Sequence, residues 1–379
     1  MRLRVDRDAF ADAVAWSART LPSRPSVPVL AGMLLEVSGA GSDAHLRLSS
    51  FDYEVSTQTT IGVHAGEPDR LLVSGRLLAE ITRNLPSQPV DMETDGTKLV
   101  LTCGSARFTL LTLPVEDYPS LPDMPPRSGL IAGDVFTTAV TQVAVAAGRD
   151  DTLPILTGVR LELEGEGITM AATDRYRLAV RDLSWKPERP DLSTEALVPA
   201  RTLADTARAL SPGTEVEVAL SDSSAGEGMI GFEGGGRRTT TRLLEGEFVK
   251  YRSLLPSETA TRVDVEIAPF VEAVKRVSLV AERGTPIRLA FSAGEIVLEA
   301  GTGDEAQAVE AVPATLEGDD VQIAFNPGFL LDGLNVLGSD AARLEFTTPT
   351  KPAMIIPTPA DDSAGPDYRY ILMPVRLSS

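Results

Sequence analysis

The sequence contains very few of the side chains on which most enzyme chemistry and covalent cross-linking depend. One cysteine, Cys103, and two histidines occur among 379 residues, and aromatic residues make up 5% of the chain. A single cysteine excludes an internal disulfide framework and a multi-cysteine zinc site. No apolar run reaches the roughly 18 residues of a membrane span, and charged residues precede any apolar stretch at the N-terminus, which argues against a secretory signal. These absences predict a protein of a reducing cytoplasm without membrane contact.

Positive charge is also scarce. The chain has 35 lysines and arginines against 54 aspartates and glutamates, which gives a formal net charge of -19. A protein that grips a phosphate backbone over a broad surface is normally basic, so bulk charge argues against nucleic-acid binding. Hydrophobic residues make up 43% of the sequence, so a chain of this length can form two or three domains that each bury a core.

Enzyme motifs are missing as well. Neither His45, in an alternating strand-like stretch, nor His64, beside a turn, has a second histidine at metal-ligand spacing. No nucleophile elbow, P-loop or H-E-x-x-H motif occurs. Gly234–Gly236 is predicted to be a hairpin turn rather than a phosphate cradle. The acidic pairs Asp150–Asp151 and Asp361–Asp362 are typical of solvated loops more than of a magnesium site.

Two patterns occur three times along the chain. The first is Phe-x-x-Ala-Val, which starts at Phe10, Phe136 and Phe270 and places apolar side chains on one helical face. The second is a leucine-rich segment that starts at Leu78, at Leu203 and again at residue 330, each time after a short apolar strand-like run. The chain is therefore read as three similar units of about 125 residues.

The repeats predict the fold class. Each unit reads as a helix, several strands, a second helix and more strands, which is an α+β arrangement of two helices packed on antiparallel sheets. Proline-rich polar stretches lie near residues 122–126 and 256–259, and such stretches are typical of linkers. The predicted domains are residues 1–125, 126–256 and 257–379.

Specific segments carry a resemblance to a known family. They are Ala172–Val180, Ala324–Pro327 and Tyr370–Leu377, together with the threefold repeat. With them, the whole chain closely resembles the β subunit of bacterial DNA polymerase III, the sliding clamp. The variant stretch Ala146–Pro154 is similar to that of actinobacterial clamps.

The resemblance implies a fold, a function and a set of partners. It implies a head-to-tail homodimer that forms a closed ring around duplex DNA, with sheets outside and helices lining the hole. Such a protein has no chemistry or cofactor of its own. It acts as a processivity factor for the DNA polymerase III α subunit, is loaded by an ATP-dependent clamp loader, and binds other polymerases and repair proteins in the cytoplasm, at the nucleoid.

The resemblance also resolves the conflict with bulk charge. A ring holds DNA by topology and needs only weak, sequence-independent contacts, and screening over roughly 8 Å keeps outer acids from acting inside the hole. Cations on the helical segments, including Arg7 and Arg19, are candidates for these contacts, and Arg24 matches a loop residue that contacts DNA in the family. The DNA-facing candidates are Arg24, Arg76, Arg83, Arg149, Arg201, Arg208, Lys275 and Arg276.

A hydrophobic pocket for short partner peptides is carried over from the family by motif, and Arg177 and Arg376 are expected to orient the peptide at its rim. Read without the resemblance, the same residues would be ordinary core. Two of them depart from the family, which usually has proline at Val249 and commonly tyrosine at Phe329. These departures raise the hypothesis of a variant clamp that tolerates a small molecule or cyclic peptide aimed at the pocket. The pocket candidates are Leu156, Thr173, Arg175, Tyr176, Arg177, Leu178, Val249, Leu254, Asn326, Phe329, Pro352, Met354, Ile371, Met373, Pro374, Val375, Arg376 and Leu377.

Ring closure is expected to join an edge strand of the first unit to the third unit of a second copy, which would cover an exposed edge. One competing function is a metal-dependent nuclease or nucleotidyltransferase with Asp150, Asp151 and Asp174 as ligands, and another is a scaffold that does not bind DNA. The candidate interface residues are Arg107, Phe108, Leu110, Leu279 and Glu305.

Overall fold

Both repeated sequence motifs lie on helices. The computed structural model describes residues 1–22, 24–25, 27–210, 213–221, 228–282, 285–301, 306–358 and 365–376. Its helices in these ranges are α1 (Arg7–Ser17), α2 (Gly75–Arg83), α3 (Gly133–Ala144), α4 (Ala200–Ala209), α5 (Ile267–Ser278) and α6 (Pro327–Asn335). The motif phenylalanines lie in α1, α3 and α5, and the motif leucines lie in α2, α4 and α6, all fully buried. The predicted two helices per repeat are confirmed. No helix among the described residues has the length and apolarity to cross a membrane.

All strand pairings found in the described residues are antiparallel, as predicted. The strands are β1 (Arg2–Val5), β2 (Gly32–Ser38), β3 (Gly41–Phe51), β4 (Val55–Ala65), β5 (Asp69–Ser74), β6 (Val90–Asp95), β7 (Lys98–Cys103), β8 (Ala106–Leu113), β9 (Arg127–Ala132), β10 (Gly158–Glu164), β11 (Gly167–Thr173), β12 (Arg177–Ser184), β13 (Lys186–Pro187), β14 (Ser193–Pro199), β15 (Glu215–Leu220), β16 (Met229–Gly234), β17 (Arg237–Arg242), β18 (Thr261–Glu266), β19 (Ile287–Ser292), β20 (Glu295–Ala300), β21 (Ala308–Glu317), β22 (Val321–Phe325), β23 (Ala341–Phe346), β24 (Ala353–Pro357) and β25 (Tyr368–Leu372).

The chain divides into two compact units. The first contains residues 1–136, 186–189 and 205–243. Its strands form one sheet in the order β1-β6-β7-β8-β5-β2-β3-β4-β17-β16-β15-β9-β13, and β1 also pairs with β4. Alternate strand residues point inward and join α1 and α2 in a core that includes Leu3, Phe10, Leu35 and Leu101. This inward alternation follows from the two-residue period of a strand.

A tight turn between β16 and β17 explains the glycine run in the first unit. Gly234 pairs with Arg237, so the connection consists of Gly235 and Gly236 alone. These two residues have φ values of 59° and 75°. A two-residue hairpin with positive φ at both positions is the type I′ turn that glycine favours. The predicted hairpin turn is confirmed.

The second unit contains residues 137–185, 190–204 and 244–379, and α3 and α4 contribute residues to both units. Its sheet order is β14-β10-β11-β12-β25-β24-β23-β18-β21-β20-β19-β22. Helix α6 approaches β25 closely at Gly333, where an added Cβ would lie 2.4 Å from the Tyr370 ring. The close approach requires glycine and fixes α6 against the strand that precedes the C-terminal segment.

Candidate functional site

A tight turn between β11 and β12 organises the residues that the sequence singled out in the second unit. Asp174 accepts hydrogen bonds through Oδ1 from the backbone N–H groups of Tyr176 and Arg177, each at 3.1 Å. Arg175 has a φ of 80°, in the left-handed region that non-glycine residues seldom adopt. Thr173 donates its hydroxyl to the Arg177 carbonyl at 2.6 Å. The turn directs Tyr176 outward, 56% exposed, and Arg177 inward.

Arg177 is a buried structural cation, which corrects the expectation that it lies at a rim. Its side chain is 5% exposed. Its Nε donates to Asp174 at 3.0 Å and its Nη1 donates to Asp332 at 2.5 Å. Its guanidinium carbon lies 4.4 Å from the centroid of the Phe329 ring. Burial opposes the charge, but Tyr370 and the two carboxylates outweigh it and hold the pKa of Arg177 above its usual value.

Three neighbouring strands supply an apolar floor. Leu178 of β12 lies opposite Ile371 of β25, and Ile371 lies opposite Met354 of β24. Leu178 and Ile371 are buried and pack in one cluster with Phe248 and Tyr251, which follow β17. The predicted pocket residues of three separate chain segments therefore meet at one place.

The C-terminal segment continues beyond the last strand of the second unit. Strand β25 ends at Leu372. Met373 then donates its N–H to the Tyr176 carbonyl at 2.9 Å, and Val375 donates to the Ala324 carbonyl at 2.8 Å. Pro374, between them, has no N–H to donate. The side chains of Met373 and Val375 remain 43% and 37% exposed.

The remaining pocket candidates differ in exposure, and one of them lies outside the described residues. Leu156 and Pro352 are half-buried, and Arg376 is exposed. Asn326 caps α6 by accepting from the N–H groups of Gly328 and Phe329 at 2.9 and 3.3 Å. Leu377 lies outside the described residues.

We call the whole assembly the apolar site. It consists of the turn and strand start at residues 173–178, the segment 248–255, Phe329, and the C-terminal segment 373–376. Apolar side chains stand exposed around its buried floor: Leu254 is 50% exposed and Val249 is 37% exposed. The Phe329 ring stacks on the Tyr176 ring, with the two ring centroids 6.1 Å apart, and the Arg177 guanidinium lies over the Phe329 ring. These contacts need no ring hydroxyl, so phenylalanine fits where the family commonly has tyrosine.

Sequence reasoning missed several residues that build the apolar site. Asp174 was weighed only as a metal ligand, whereas its carboxylate serves the turn and Arg177. Asp332 was not among the candidates, and it lies 155 positions from its partner Arg177. Glu162 is 7% exposed, which is unusual for a glutamate, and no pattern in the sequence indicates this burial.

The candidate DNA-facing cations fall into two groups. Arg24, Arg83, Arg149 and Arg201 are exposed, and the described residues provide no ion-pair partner for them. The others are engaged: Arg208 pairs with Asp205 at 2.7 Å, Lys275 with Glu272 at 2.8 Å, Arg276 with Glu310 at 2.5 Å, and Arg76 donates to the Leu21 carbonyl at 3.2 Å. An ion pair lowers the net charge that a cation presents to a phosphate, whereas the carbonyl contact of Arg76 orients its side chain without neutralising it. The four free arginines are therefore the stronger candidates.

The predicted edge in the first unit lies on β8. Residues 106–111 pair with β7, while β5 pairs only with residues 112–113, so the stretch 106–111 has one free side among the described strands. Arg107 is exposed, but Leu110 is buried in the core and its side chain adds no exposed surface. Leu111, 68% exposed, stands on the outer face instead. An open cleft of about 530 Å³ reaches Arg107 across the outer face of β1 and β6.

The third repeat offers a matching free edge in the second unit. Residues 308–313 of β21 pair with β20, and β18 pairs with residues 314–317. Val309 on this edge is 68% exposed and the nearby candidate Leu279 is 84% exposed. Glu305 lies outside the described residues.

Two of the three acids of the competing enzyme hypothesis, Asp150 and Asp174, accept hydrogen bonds within their own turns. Asp150 accepts from the Thr152 hydroxyl at 2.6 Å and from its N–H at 3.0 Å, and these bonds hold the Asp150 pKa below its usual value. Asp174 is committed to Arg177. Within the described part of the chain, no group of three or more His, Cys, Asp or Glu side chains is placed to hold a metal ion.

Comparison with known domain families accounts for all three repeats. Models of the DNA polymerase III beta subunit match in chain order: the N-terminal domain at residues 1–122, the central domain at 130–250 and the C-terminal domain at 252–376. The chain belongs to the DNA polymerase III beta subunit family. It is thus a sliding clamp, a non-catalytic processivity factor of DNA polymerase III that dimerises and binds DNA and the polymerase. The nuclease and scaffold alternatives find no support.

Individual relatives agree over the full length. The chain is 60% identical over 379 residues to the beta sliding clamp of Streptomyces coelicolor and 44% identical over 378 residues to the beta sliding clamp homolog GriR of Streptomyces muensis, with all of each chain covered. A crystal structure of the DnaN sliding clamp of Pseudomonas aeruginosa bound to griselimycin superposes with a TM-score of 0.89 at 27% identity, again over all of both chains.

Proposed function

We propose that this clamp tethers its protein partners through the apolar site. The observation that carries the proposal is that Leu254, Met373, Val249 and Val375 are exposed on the two chain segments that also supply Phe248, Tyr251 and Ile371 to a buried apolar floor. Exposed apolar groups clustered in this way mark a binding surface. Methionine adapts its shape, so one surface can accept leucine and phenylalanine anchors from several partners. The expected partners are the polymerase III α subunit, the clamp loader, other clamp-binding polymerases and repair proteins.

The same site is proposed to accept a cyclic peptide of the griselimycin class. This rests on the griselimycin-bound Pseudomonas aeruginosa clamp and on two features of this chain. Phe329 keeps its stacking contacts without a hydroxyl. Val249 keeps an N–H where proline has none, and its carbonyl accepts from Tyr251 at 2.7 Å. We propose that these two positions tune which ligands the site accepts.

A competition titration tests whether the two ligand classes share the site. A fluorescent peptide from the polymerase α subunit should bind with micromolar affinity and be displaced completely by griselimycin, because both bury the same apolar side chains. Fluorescence anisotropy measures the displacement. Simultaneous binding of both ligands would place the partner site elsewhere on the clamp.

We further propose that two copies close a ring around DNA by joining the β8 edge, with Arg107, Phe108 and Leu111, to the third-repeat edge at residues 308–313. Free backbone groups on one edge pair with those on the other, and the exposed apolar side chains are covered. Leu279 and Glu305 remain candidate contacts of the third repeat. The proposed location is the bacterial cytoplasm at the nucleoid.

We propose that the exposed arginines for which the described residues provide no ion-pair partner contact the DNA. Replacing Arg24 and Arg149 together by alanine should lower loading and processive synthesis several-fold while leaving the fold unchanged, because phosphate contacts position DNA without reading sequence. Replacing Lys275 and Arg276, which are already ion-paired, is the matched control and should have a smaller effect. Primer extension with the loader measures both. If both variants supported processive synthesis as well as wild type, the assignment of Arg24 and Arg149 as DNA contacts would be contradicted.

A further inference from the structure

The second unit contains a buried carboxylate that lies outside the residues of the apolar site. Glu162 lies on β10, where its side chain is 8% exposed. Its neighbour two positions along the same strand face, Glu164, is exposed. An ionised carboxylate is costly to bury unless charges and hydrogen bonds compensate it. The groups around Glu162 therefore indicate what the burial achieves.

Two residues of the segment that follows β17 and one residue of β10 compensate the charge of Glu162. Tyr251 donates its hydroxyl to Glu162 Oε2 at 2.9 Å, and Arg252 forms an ion pair with the same oxygen. On the other side, the Arg160 Nε lies 2.8 Å from Oε1. Burial alone would raise the Glu162 pKa, but the Arg252 and Tyr251 hydrogen bonds and the Arg160 charge hold it below its usual value. The carboxylate stays ionised at neutral pH.

Glu162 thereby fastens a short helical turn to the sheet. Residues 251–254 form a single 3-10 turn, too short to be stable alone. The Arg252 guanidinium carbon also lies 5.0 Å from the centroid of the Tyr251 ring. Tyr251 is 3% exposed and joins the cluster that contains Leu178 and Ile371.

The fastened turn carries one wall of the apolar site. Leu254 ends the turn and Val249 precedes it by two residues, and both side chains are exposed toward solvent. A wall that is already ordered binds a peptide more tightly than one that must become ordered on binding. Glu162 contacts this wall from the side of the sheet, through Tyr251 and Arg252.

We propose that Glu162 is a positioning residue of the apolar site: through Tyr251 and Arg252 it holds the 248–255 segment so that Val249 and Leu254 face a bound peptide. This proposal rests on the proposed peptide-binding function. Glu162 affects the affinity for the peptide only through the 248–255 segment. A substitution that releases this segment therefore also removes the contribution of Leu254 to binding.

A double-mutant cycle on the full-length clamp tests whether Glu162 affects peptide affinity through the segment that carries Leu254. Calorimetric titration with a peptide from the polymerase α subunit should show affinity about 10-fold weaker for Glu162→Gln and for Leu254→Ala. Combining them should weaken affinity little beyond either alone, because the second change acts on a wall already released. Glu166→Gln, at an exposed carboxylate just beyond β10, is the matched control and should bind like wild type. Hydrogen exchange should quicken at residues 251–255 and stay unchanged in β25.

The outcomes separate this proposal from the function on which it rests. If the wild-type clamp does not bind the peptide, the proposed function fails and this proposal fails with it. If the wild type binds and folded Glu162→Gln binds equally well, or if the two losses multiply to about 100-fold, the positioning role alone is overturned. Should Glu162→Gln fail to fold, Tyr251→Phe decides, since it removes one hydrogen bond without unpairing the carboxylate. A several-fold loss that is non-additive with Leu254→Ala supports the role, and wild-type affinity overturns it.

Discussion

Removing residues 373–379 should abolish peptide binding while leaving the clamp folded. The removed segment contains Met373 and Val375, two of the exposed apolar side chains of the apolar site. Burial of one such side chain contributes about 1.5–3 kcal/mol, whereas a micromolar peptide has about 8 kcal/mol in total. Loss of both groups should therefore weaken binding by roughly 100-fold or more, as measured by calorimetric titration.

The fold should survive because the truncation stops after β25. Ile371 and Leu372 are 2% and 0% exposed and stay in place, and the strand keeps its pairing with β12 and β24. The lost backbone bonds are those from Met373 and Val375. Leu77→Ala, at an exposed leucine of α2, is the control and should bind normally. Unchanged affinity in the truncated clamp would place docking elsewhere, and an aggregated truncation would show that the segment is core.

Leu111→Glu should convert the dimer to a monomer at micromolar concentration. Leu111 is 68% exposed on the free edge of β8, where the proposed interface would cover its apolar side chain. Burying a carboxylate in this apolar contact costs several kcal/mol. The dissociation constant of the dimer should rise by at least about 100-fold. Light scattering over a concentration series measures it.

A control separates the edge from a general effect of the added charge. Leu77→Glu places the same carboxylate on α2, where the leucine is 45% exposed. It should leave the dimer intact, and both variants should unfold at temperatures close to that of wild type. A Leu111→Glu clamp that remains a stable dimer would show that subunits join through another surface.

The helices and the C-terminal segment were predictable because their signals are local. Phe10, Phe136 and Phe270 each carry a helical apolar pattern within five residues, and all three are buried in helices. The end of β25 before Met373 follows from Pro374, which cannot donate to a sheet ladder. The acidic net charge pointed away from DNA because an average over the chain does not describe the surface that DNA meets.

The polar framework of the apolar site was not predictable because its partners are distant in sequence. Arg177 was placed at a rim by residue type, but it is buried because Asp332, 155 positions away, pairs with it. Glu162 lies 89 positions from Tyr251. Leu110 lies on the predicted edge strand, but strand alternation turns its side chain into the core and turns Leu111 outward. Local periodicity gives the face of a strand, whereas ion-pair partners require the tertiary fold.

We expect the clamp to hold DNA by encirclement rather than by affinity. The clamp and its loader should be incubated with a nicked circular plasmid, isolated by gel filtration, and followed after one restriction enzyme linearises the DNA. We predict long retention on the circle and rapid release from the linear product, since a ring with few phosphate contacts slides off a free end. Retention on linear DNA equal to that on the circle, or equally fast loss from both forms, would contradict the account.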